Sequence, residues 1–447
     1  MADLLSLTTS MQAQPSRHLD AIVVGSGPGG AATARELTRR GARVLLLERG
    51  GDAPLAGTLG QMAGMAAVPG KGAFLHRDAS LLVRALTLGG TSTVNFATAA
   101  PPPAAMFAAH GIDLEPALAA LRAELPMAPL PDGLVGPMAR RIMGAARALG
   151  LPWRKLDKMI RPQSCRAGCW RCVYGCPTGA KWTARDFVDE ARRAGLAVRS
   201  NVLVERVLLK DGRAAGVEAT VDGKPARFLA PLVVLAAGGI GSPRLLRASG
   251  LMEGPARFFS DPVVAVMGSV DDLGEDGGAE VPMAAGAAWH ADGFALADLT
   301  LPRPMYQAFA AQAGRVDRLF AHGRTLSIMV KIRDAVGGAI GPRWVDKTLT
   351  DSDRARFCDG TEIARAILKE AGARHLFSSH HFAAHPGGSA RIGDVVDADL
   401  RTATPGLYVC DASVIPEPWG LPPTLTLLCL GQRLGTHLAC AEAGQAA

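Results

Sequence analysis

The chain has 447 residues, of which 48% are hydrophobic and 20% charged, a balance typical of a soluble protein with two or more domains. Aromatic residues make up only 5%, and the net charge of +7 is spread along the chain without a block of consecutive Lys or Arg, so we expect no nucleic-acid partner. No apolar run is long enough for a transmembrane segment, and the N-terminus lacks the pattern of a signal peptide. We therefore expect a cytoplasmic protein; periplasmic export together with a partner subunit is the alternative.

The segment 20–49, DAIVVGSGPGGAATARELTRRGARVLLLER, has the pattern of a strand, a glycine-rich turn, a helix and a second strand. Gly25, Gly27 and Gly30 have the G-x-G-x-x-G spacing. In that pattern the glycines permit a tight turn, the close approach of a pyrophosphate and the close packing of helix on strand. Glu48 ends the second strand, where a carboxylate accepts hydrogen bonds from a ribose diol. The segment predicts a dinucleotide site but does not distinguish FAD from NAD.

Three further segments have the composition of a cofactor crevice. LGGTSTVN at 88–95 is glycine-rich and continues with small hydroxyl residues. VVLAAGGIGSP at 233–243 and LYVCDASV at 407–414 are short apolar strands that run into small residues and into Asp411. Because the carboxyl ends of parallel strands meet at one edge of a sheet, we expect these segments to line the same crevice.

Four of the 8 cysteines lie in SCRAGCWRCVYGCPTGAKW at 164–182. A cytoplasmic location argues against disulfides, and zinc sites usually draw their ligands from two separated pairs. Here the thiols follow one another in one loop, and the ending C-x2-C-x3-C-P resembles part of the bacterial ferredoxin motif. We therefore favour an iron–sulfur cluster, [4Fe–4S] ahead of [3Fe–4S], while zinc and reduced or disulfide-linked thiols stay open. The predicted ligands are Cys165, Cys169, Cys172 and Cys176.

These motifs, in this order, resemble those of the glucose–methanol–choline (GMC) oxidoreductase family. LGGTSTVN is similar to its Gly-Gly-x-Ser-x-x-Asn signature, and AAGGIGSPRLL at 236–246 to its second signature. HPGGSARIG at 385–393, followed by DASVIP and LPPTLTL, resembles its C-terminal catalytic and flavin-contacting block. The resemblance implies FAD, with adenine on the Val204 backbone and the ribityl chain on Asp411. Beside the turn glycines and Glu48, it implies as cofactor contacts Gly89, Gly90, Ser92, Asn95, Val204, Ala237, Asp411, Pro423 and Thr424.

His385 is the predicted catalytic base. An alcohol must lose its hydroxyl proton as its hydride leaves, and histidine is a base with a pKa near neutral. The family resemblance assigns this role to His385. The family usually has a second Asn or His before the proline of its C-terminal motif, but Pro422 stands there and can neither donate nor take a proton. We therefore expect a single-histidine mechanism, or a helper from elsewhere, with His380, His381 and Trp419 as candidates.

The predicted fold is α/β, with a Rossmann-like FAD-binding domain and a discontinuous α+β substrate-binding cap domain that carries the cysteine loop. We assign 18–100, 196–250 and 395–447 to the FAD-binding domain, and 101–195 and 251–394 to the cap.

The predicted function is oxidation of an alcohol or sugar CH–OH group by hydride transfer to flavin. Electrons would leave through the cluster to a one-electron acceptor such as a cytochrome, a quinone or a ferredoxin-like carrier. One alternative is an oxygen-using alcohol oxidase with a structural metal site. Another is a non-catalytic subunit that transfers electrons through flavin and cluster.

Overall fold

The structure is a computed structural model that describes residues 18–273 and 279–445. The signal-peptide prediction concerns the N-terminal residues 1–17, which lie outside the described residues. The helices are α1 (Pro28–Arg39), α2 (Leu59–Ala66), α3 (Ala104–Ala108), α4 (Glu115–Glu124), α5 (Pro137–Ala148), α6 (Ala184–Arg193), α7 (Gly238–Ala248), α8 (Arg303–Gln312), α9 (Asp351–Glu370) and α10 (Thr424–Gln445). In the described part of the chain, no helix combines the length and the hydropathy of a membrane-spanning segment.

The strands are β1 (Ala21–Val24), β2 (Val44–Leu47), β3 (Ala73–Leu75), β4 (Leu81–Val83), β5 (Met127–Pro129), β6 (Arg154–Lys155), β7 (Asp157–Met159), β8 (Ala197–Arg199), β9 (Val202–Lys210), β10 (Arg213–Val221), β11 (Lys224–Leu229), β12 (Leu232–Leu235), β13 (Ala256–Phe258), β14 (Val263–Ser269), β15 (Ala285–Trp289), β16 (Phe294–Asp298), β17 (Thr325–Ile332), β18 (Gly337–Ile340), β19 (Val345–Asp346), β20 (Arg374–Ser378), β21 (Phe382–Ala383) and β22 (Leu407–Val409).

The first sheet is parallel, with the strand order β22-β12-β1-β2-β8. Its three central strands are apolar and buried along their whole length, as expected when helices cover both faces of a parallel sheet. Helix α1 packs against α10 and α6, and the antiparallel strands β9–β11 extend this unit next to α7. The carboxyl ends of β1, β2, β12 and β22 therefore lie at one edge.

The second sheet has nine strands and is mostly antiparallel, with β14 and β17 at its centre. Along its inner strands, successive side chains point alternately into two apolar clusters. One cluster lies beneath α5 and α9, and the other beneath α8. Strands β3 and β4 (residues 73–83) belong to this sheet, whereas α6 packs on α1 beside the first sheet. These three elements cross the domain boundaries that the sequence suggested, so those boundaries remain a proposal.

Candidate active site

A cavity of about 1010 Å³ opens along the carboxyl edge of the parallel sheet. Eleven of the thirteen residues predicted to contact a cofactor line it, and so does His385. Gly30 and Gly89 are not in its lining. The lining residues among the predicted set are Gly25, Gly27, Glu48, Gly90, Ser92, Asn95, Val204, Ala237, Asp411, Pro423 and Thr424.

The glycine-rich turn is packed too closely for side chains. A Cβ atom on Gly25, whose φ is +105°, would lie 2.3 Å from the carbonyl oxygen of Ala236. A Cβ on Gly30 would lie 2.1 Å from the carbonyl oxygen of Gly25. Across the cavity, a Cβ on Gly90 would be 3.0 Å from the Cα of Gly27. Two backbone turns and the N-terminus of α1 therefore form a narrow cradle of the kind that admits a pyrophosphate.

The Glu48 carboxylate is held in place by its neighbours. It is buried and accepts hydrogen bonds from the Ser26 backbone N–H (3.0 Å), the Ser26 hydroxyl (2.6 Å) and the Gly50 N–H (2.7 Å). Ser26 Oγ in turn accepts from the Gly89 N–H at 2.9 Å. The acid is thus fixed at the end of β2, with one lone pair of Oε1 left for a ribose hydroxyl.

Asp411 joins two parts of the cavity wall. Its carboxylate accepts from the Gly238 N–H at the start of α7 (2.9 Å), from the Ser242 hydroxyl and from the Ser413 N–H (2.8 Å). Burial raises the pKa of this carboxyl group. The sequence predicted a bond from Asp411 to the ribityl chain; within the chain itself, Oδ2 holds the turn after β22 against α7, and Oδ1 accepts from Ser413 within that turn.

Asn95 and Thr424 meet at the other end of the cavity. The Asn95 side-chain amide donates to Thr424 Oγ1 at 3.2 Å, while its oxygen accepts from the Ala97 N–H at 2.9 Å. This contact joins the turn after LGGTS to the first residue of α10, and Pro423 lines the cavity beside it. The N-terminus of a long helix therefore faces this part of the cavity.

His385 follows β21 and lines the cavity, while its Nδ1 contacts the Nζ of Lys331. Burial and the charge of Lys331 hold the pKa of His385 well below its usual value. The loop that carries His385 packs directly against the backbone of α7, since a Cβ on Gly239 would lie 1.9 Å from the Pro386 carbonyl oxygen. A neutral imidazole with a constrained backbone is suited to receive a proton from a ligand in the cavity.

The three helper residues suggested for His385 lie elsewhere. His380 and His381 contact the Asp78 backbone oxygen (2.9 Å) and carboxylate (3.3 Å), respectively, away from the cavity lining. Trp419 is not in the lining either, and its indole N–H has no hydrogen-bond partner among the described residues. The sequence prediction missed Lys331, whose signal was a charged residue within the apolar strand TLSIMVKI.

Five arginines also line the cavity, a feature that the sequence analysis did not identify: Arg49, Arg84, Arg244, Arg247 and Arg343. In the described part of the chain, Arg49, Arg84 and Arg244 form no ion pair with a carboxylate. Burial, together with the charges of Arg49 and Arg244, lowers the pKa of Arg84 to about 9, and burial lowers that of Arg244 to about 10. A cavity lined by unneutralised cations is suited to an anionic ligand.

The cysteine loop lies between β7 and α6 and packs against the Gly90–Val94 turn. All eight cysteines are free thiols. Within residues 18–273 and 279–445, no group of three or more His, Cys, Asp or Glu side chains is arranged to hold a metal ion. Burial raises the pKa of Cys165 to about 11 and also raises that of Cys172. The predicted ligand set is therefore close in sequence, but it is not assembled as a metal site.

Two lysines are buried against this loop. The Lys181 ammonium donates to the backbone oxygens of Thr93 (2.7 Å), Asn95 (3.0 Å) and Cys172 (2.7 Å). Lys158 donates to two further backbone oxygens, those of Pro282 and Met283. Burial lowers the pKa of both lysines to about 8. The loop is thus tied to the cofactor turn through a buried side chain.

The fold and this cavity define a dinucleotide-dependent oxidoreductase of the α/β class. The two domains of the GMC oxidoreductase family match residues 19–263 and 339–431. The chain belongs to the GMC oxidoreductase family, as its motifs predicted, and FAD is its cofactor. The glycine cradle, the oriented Glu48 and the cavity arginines fit that dinucleotide in size and charge.

Several known proteins are similar to the chain. An uncharacterized GMC-type oxidoreductase of Mycobacterium tuberculosis is 29% identical, covering 95% of this chain and 76% of its own. A long-chain-alcohol oxidase of Arabidopsis thaliana is 25% identical over 93% of this chain and 66% of its own. The crystal structure of pyridoxine 4-oxidase from Mesorbium loti has a TM-score of 0.75 at 20% identity, covering 94% and 99% of the two chains. A formate oxidase structure has a TM-score of 0.73 at 17% identity, covering 97% and 100%.

Proposed function

We propose that this enzyme oxidises an alcohol CH–OH group to a carbonyl, with His385 as the base. The observation that carries the proposal is the position of His385: it lines the same cavity as the cofactor motifs, and its pKa is lowered so that the ring is neutral at neutral pH. The similarity to a long-chain-alcohol oxidase supports the alcohol class.

The proton and the hydride have separate destinations in this reaction. FAD, when bound, supplies the hydride acceptor. His385 takes the hydroxyl proton through the ring nitrogen that faces the cavity, so the alcohol loses one hydride and one proton and becomes a carbonyl compound. Because Pro422 has no proton to donate, the oxygen of the substrate relies on His385 alone among the residues of the C-terminal motif.

The test is anaerobic reduction of the bound flavin by 1-octanol, benzyl alcohol, pyridoxine and D-glucose, monitored by flavin absorbance. We expect one of these classes to reduce the wild-type flavin, and His385→Gln to slow the reduction about 10²–10⁴-fold with the flavin content unchanged. His437→Gln, at a partly exposed position on α10, is the matched control. An unchanged reduction rate in His385→Gln would contradict the assignment of the base.

We also propose that the cysteine loop binds an iron–sulfur cluster through Cys165, Cys169, Cys172 and Cys176. Their short spacing and the positive charge of Lys158 and Lys181 support this proposal, since a cluster held by four thiolates is anionic. Among the described residues the four thiols do not form a metal-ligand group, so no step of the reaction is assigned to the cluster.

Iron and acid-labile sulfide are measured after anaerobic purification, together with electron paramagnetic resonance before and after dithionite. About four irons per flavin, lost in Cys172→Ser but kept in Cys358→Ser, would support [4Fe–4S] and a one-electron acceptor; about three would indicate [3Fe–4S]. Zinc or metal-free thiols would make the loop structural, and oxygen would then be the first acceptor to test.

A further inference from the structure

We propose that the turn between α8 and β17 binds the surface of an anionic phospholipid bilayer, with the side chains of Phe320 and Val316 inserted among the lipids. This turn, residues 313–324, is called the Phe320 turn below. The interaction goes beyond the proposed oxidation of an alcohol, and the binding itself does not depend on that activity.

The Phe320 turn exposes two large apolar side chains. Phe320 is 92% exposed and Val316 is 68% exposed. Among the described residues, no other large apolar side chain is as exposed as Phe320. Single exposed apolar residues are ordinary on a protein surface, but a phenyl ring that is almost wholly in water forgoes the free energy that its burial would supply. Two such side chains in one turn indicate a surface that another molecule covers.

Hydrogen bonds on both sides of Phe320 hold this turn in place. Before it, the hydroxyl of the buried Tyr306 in α8 donates to the Arg318 carbonyl oxygen at 2.9 Å. After it, Nε2 of His322 donates to the Leu301 carbonyl oxygen at 2.7 Å. To turn the Phe320 ring towards the apolar cluster beneath α8, the backbone would have to break these bonds. The exposure of Phe320 is therefore a property of the fold.

The outer face of α8 continues the surface without charge. Residues 304–314 contain no charged side chain, and Ala308 and Ala311 are exposed on the helix. Because they are three residues apart, they lie on the same face. A helix face in contact with water usually carries charged residues, whereas a face that lies in a lipid interface does not. The uncharged surface thus extends from the Phe320 turn along α8.

Cations stand at both ends of this uncharged surface. Arg303 begins α8 and Arg324 ends the Phe320 turn; both are exposed, and within the described part of the chain neither forms an ion pair with a carboxylate. Burial and the charge of Arg303 lower the pKa of His322, so Arg303 lies beside the turn. Asp317 is the only acid in the segment 303–324, and two further arginines pair with it. The segment therefore presents positive charge around its apolar side chains.

This charge pattern favours a bilayer over the other possible occupants. Exposed arginines beside inserted apolar side chains complement anionic lipid headgroups, and the net charge of +7 attracts the whole protein to such a surface. A second copy of the chain, packed by a twofold axis, would place the same arginines against one another. A stable protein partner needs about 800 Å² of complementary surface on each side, more than two side chains and a helix face rich in alanine offer.

The proposed surface lies close to the loop that carries His385. The ring of Phe309 in α8 lies 5.2 Å from the ring of Phe382 in β21, measured between centroids, and His385 comes three residues later. A bilayer on this face would hold dissolved apolar alcohols on the side of the protein that carries the catalytic loop. This consequence for substrate supply rests on the proposed function.

The test is sedimentation of the FAD-loaded protein with vesicles of phosphatidylcholine alone, or of equal amounts of phosphatidylcholine and phosphatidylglycerol. We expect binding to the anionic vesicles that weakens as salt is raised from about 0.05 M to about 0.5 M. Phe320→Ser should weaken this binding at least about tenfold. Leu229→Ser, at a side chain 65% exposed on β11, is the matched control and should bind as the wild type does.

A charge variant and an assembly measurement complete the test. Arg324→Gln should weaken binding to anionic vesicles about fivefold and leave binding to neutral vesicles unchanged. Absence of binding to anionic vesicles, or equal binding of Phe320→Ser and the wild type, overturns the proposal. So does a wild-type dimer, measured by light scattering, that becomes a monomer in Phe320→Ser, because a second copy would then cover the turn. The flavin spectrum of each variant checks its fold, and no outcome depends on alcohol oxidation, so failure of this inference is distinguishable from failure of the proposed function.

Discussion

Gly239 lies against Pro386 so closely that a Cβ atom on the glycine would be 1.9 Å from the proline carbonyl oxygen and 2.5 Å from its carbonyl carbon. Helix α7 and the loop that carries His385 are therefore in backbone contact. The hydroxyl of Ser389, four residues after His385, strengthens the same junction by donating to the Gly239 carbonyl oxygen at 2.6 Å. The position of the loop that carries His385 is therefore set by the glycine-rich N-terminus of α7, which explains why residue 239 is a glycine.

Gly239→Ala is the first test of this junction. The added methyl group meets main-chain atoms that cannot rotate away, so we expect a loss of at least about 2 kcal/mol in the free energy of unfolding and a reduced flavin content. Gly144→Ala in α5 is the control, because no atom lies within 4 Å of its added Cβ and alanine favours a helix by about 1 kcal/mol. Equal melting temperatures for the two variants would contradict the prediction.

Arg84→Met should have opposite effects on the apoprotein and the holoenzyme. Removing a buried cation that Arg49 and Arg244 repel stabilises the apoprotein, whereas FAD loses a charge-assisted partner and binds about 10- to 100-fold more weakly. Titration of the apoprotein with FAD, together with thermal unfolding of the apoprotein, measures both effects. Arg77→Met, at a side chain 88% exposed, serves as the control. Unchanged FAD affinity in Arg84→Met would show that Arg84 does not neutralise the cofactor.

Lys181→Met should separate the cysteine loop from the cofactor turn. Three backbone oxygens, those of Thr93, Asn95 and Cys172, would lose their donor, at a cost of about 1–3 kcal/mol for each buried group left unsatisfied. We expect a lower melting temperature and a lower flavin content, since Asn95 lines the cavity. Lys369→Met, exposed on α9, should change neither quantity. A variant that keeps full flavin occupancy would show that the turn holds its shape without this link.

Glu280→Gln tests a buried carboxyl group at the N-terminus of α5. Glu280 accepts from the Met138 N–H (2.5 Å) and the Ala139 N–H (3.1 Å), and burial raises its pKa to about 7. The unfolded group has a pKa near 4.5, so its contribution to stability is full below that pH and is lost as the pH rises through 7.

Between pH 5 and pH 8 we expect this group alone to lower the wild-type stability by up to about 3 kcal/mol. Glu280→Gln should remove this pH-dependent loss of stability. The free energy of unfolding of the variant should therefore rise relative to that of the wild type as the pH increases from 5 to 8. Chemical denaturation of both proteins at the two pH values measures it. A difference independent of pH would contradict the raised pKa.

The local sequence determined the βαβ unit, the order of the motifs and the family, because strand and helix periodicity and glycine spacing act over a few residues. It also indicated His385, and most of the cofactor contacts that it predicted line the cavity. For the four cysteines the local sequence goes no further than a prediction: their close spacing predicts an iron–sulfur cluster, and within the described residues the thiols form no metal-ligand group.

Only the tertiary structure shows which side chain contacts the imidazole of His385. Lys331 and His385 are 54 residues apart in sequence, and the register of β17, β14 and β21 brings them into contact. The same is true of the arginines in the cavity, which come from separate segments: burial lowers the pKa values of Arg49, Arg84 and Arg244, and neighbouring arginines lower those of Arg84 and Arg244 further. Desolvation and the distance between charges depend on how distant segments pack, and no local pattern in the sequence encodes either quantity.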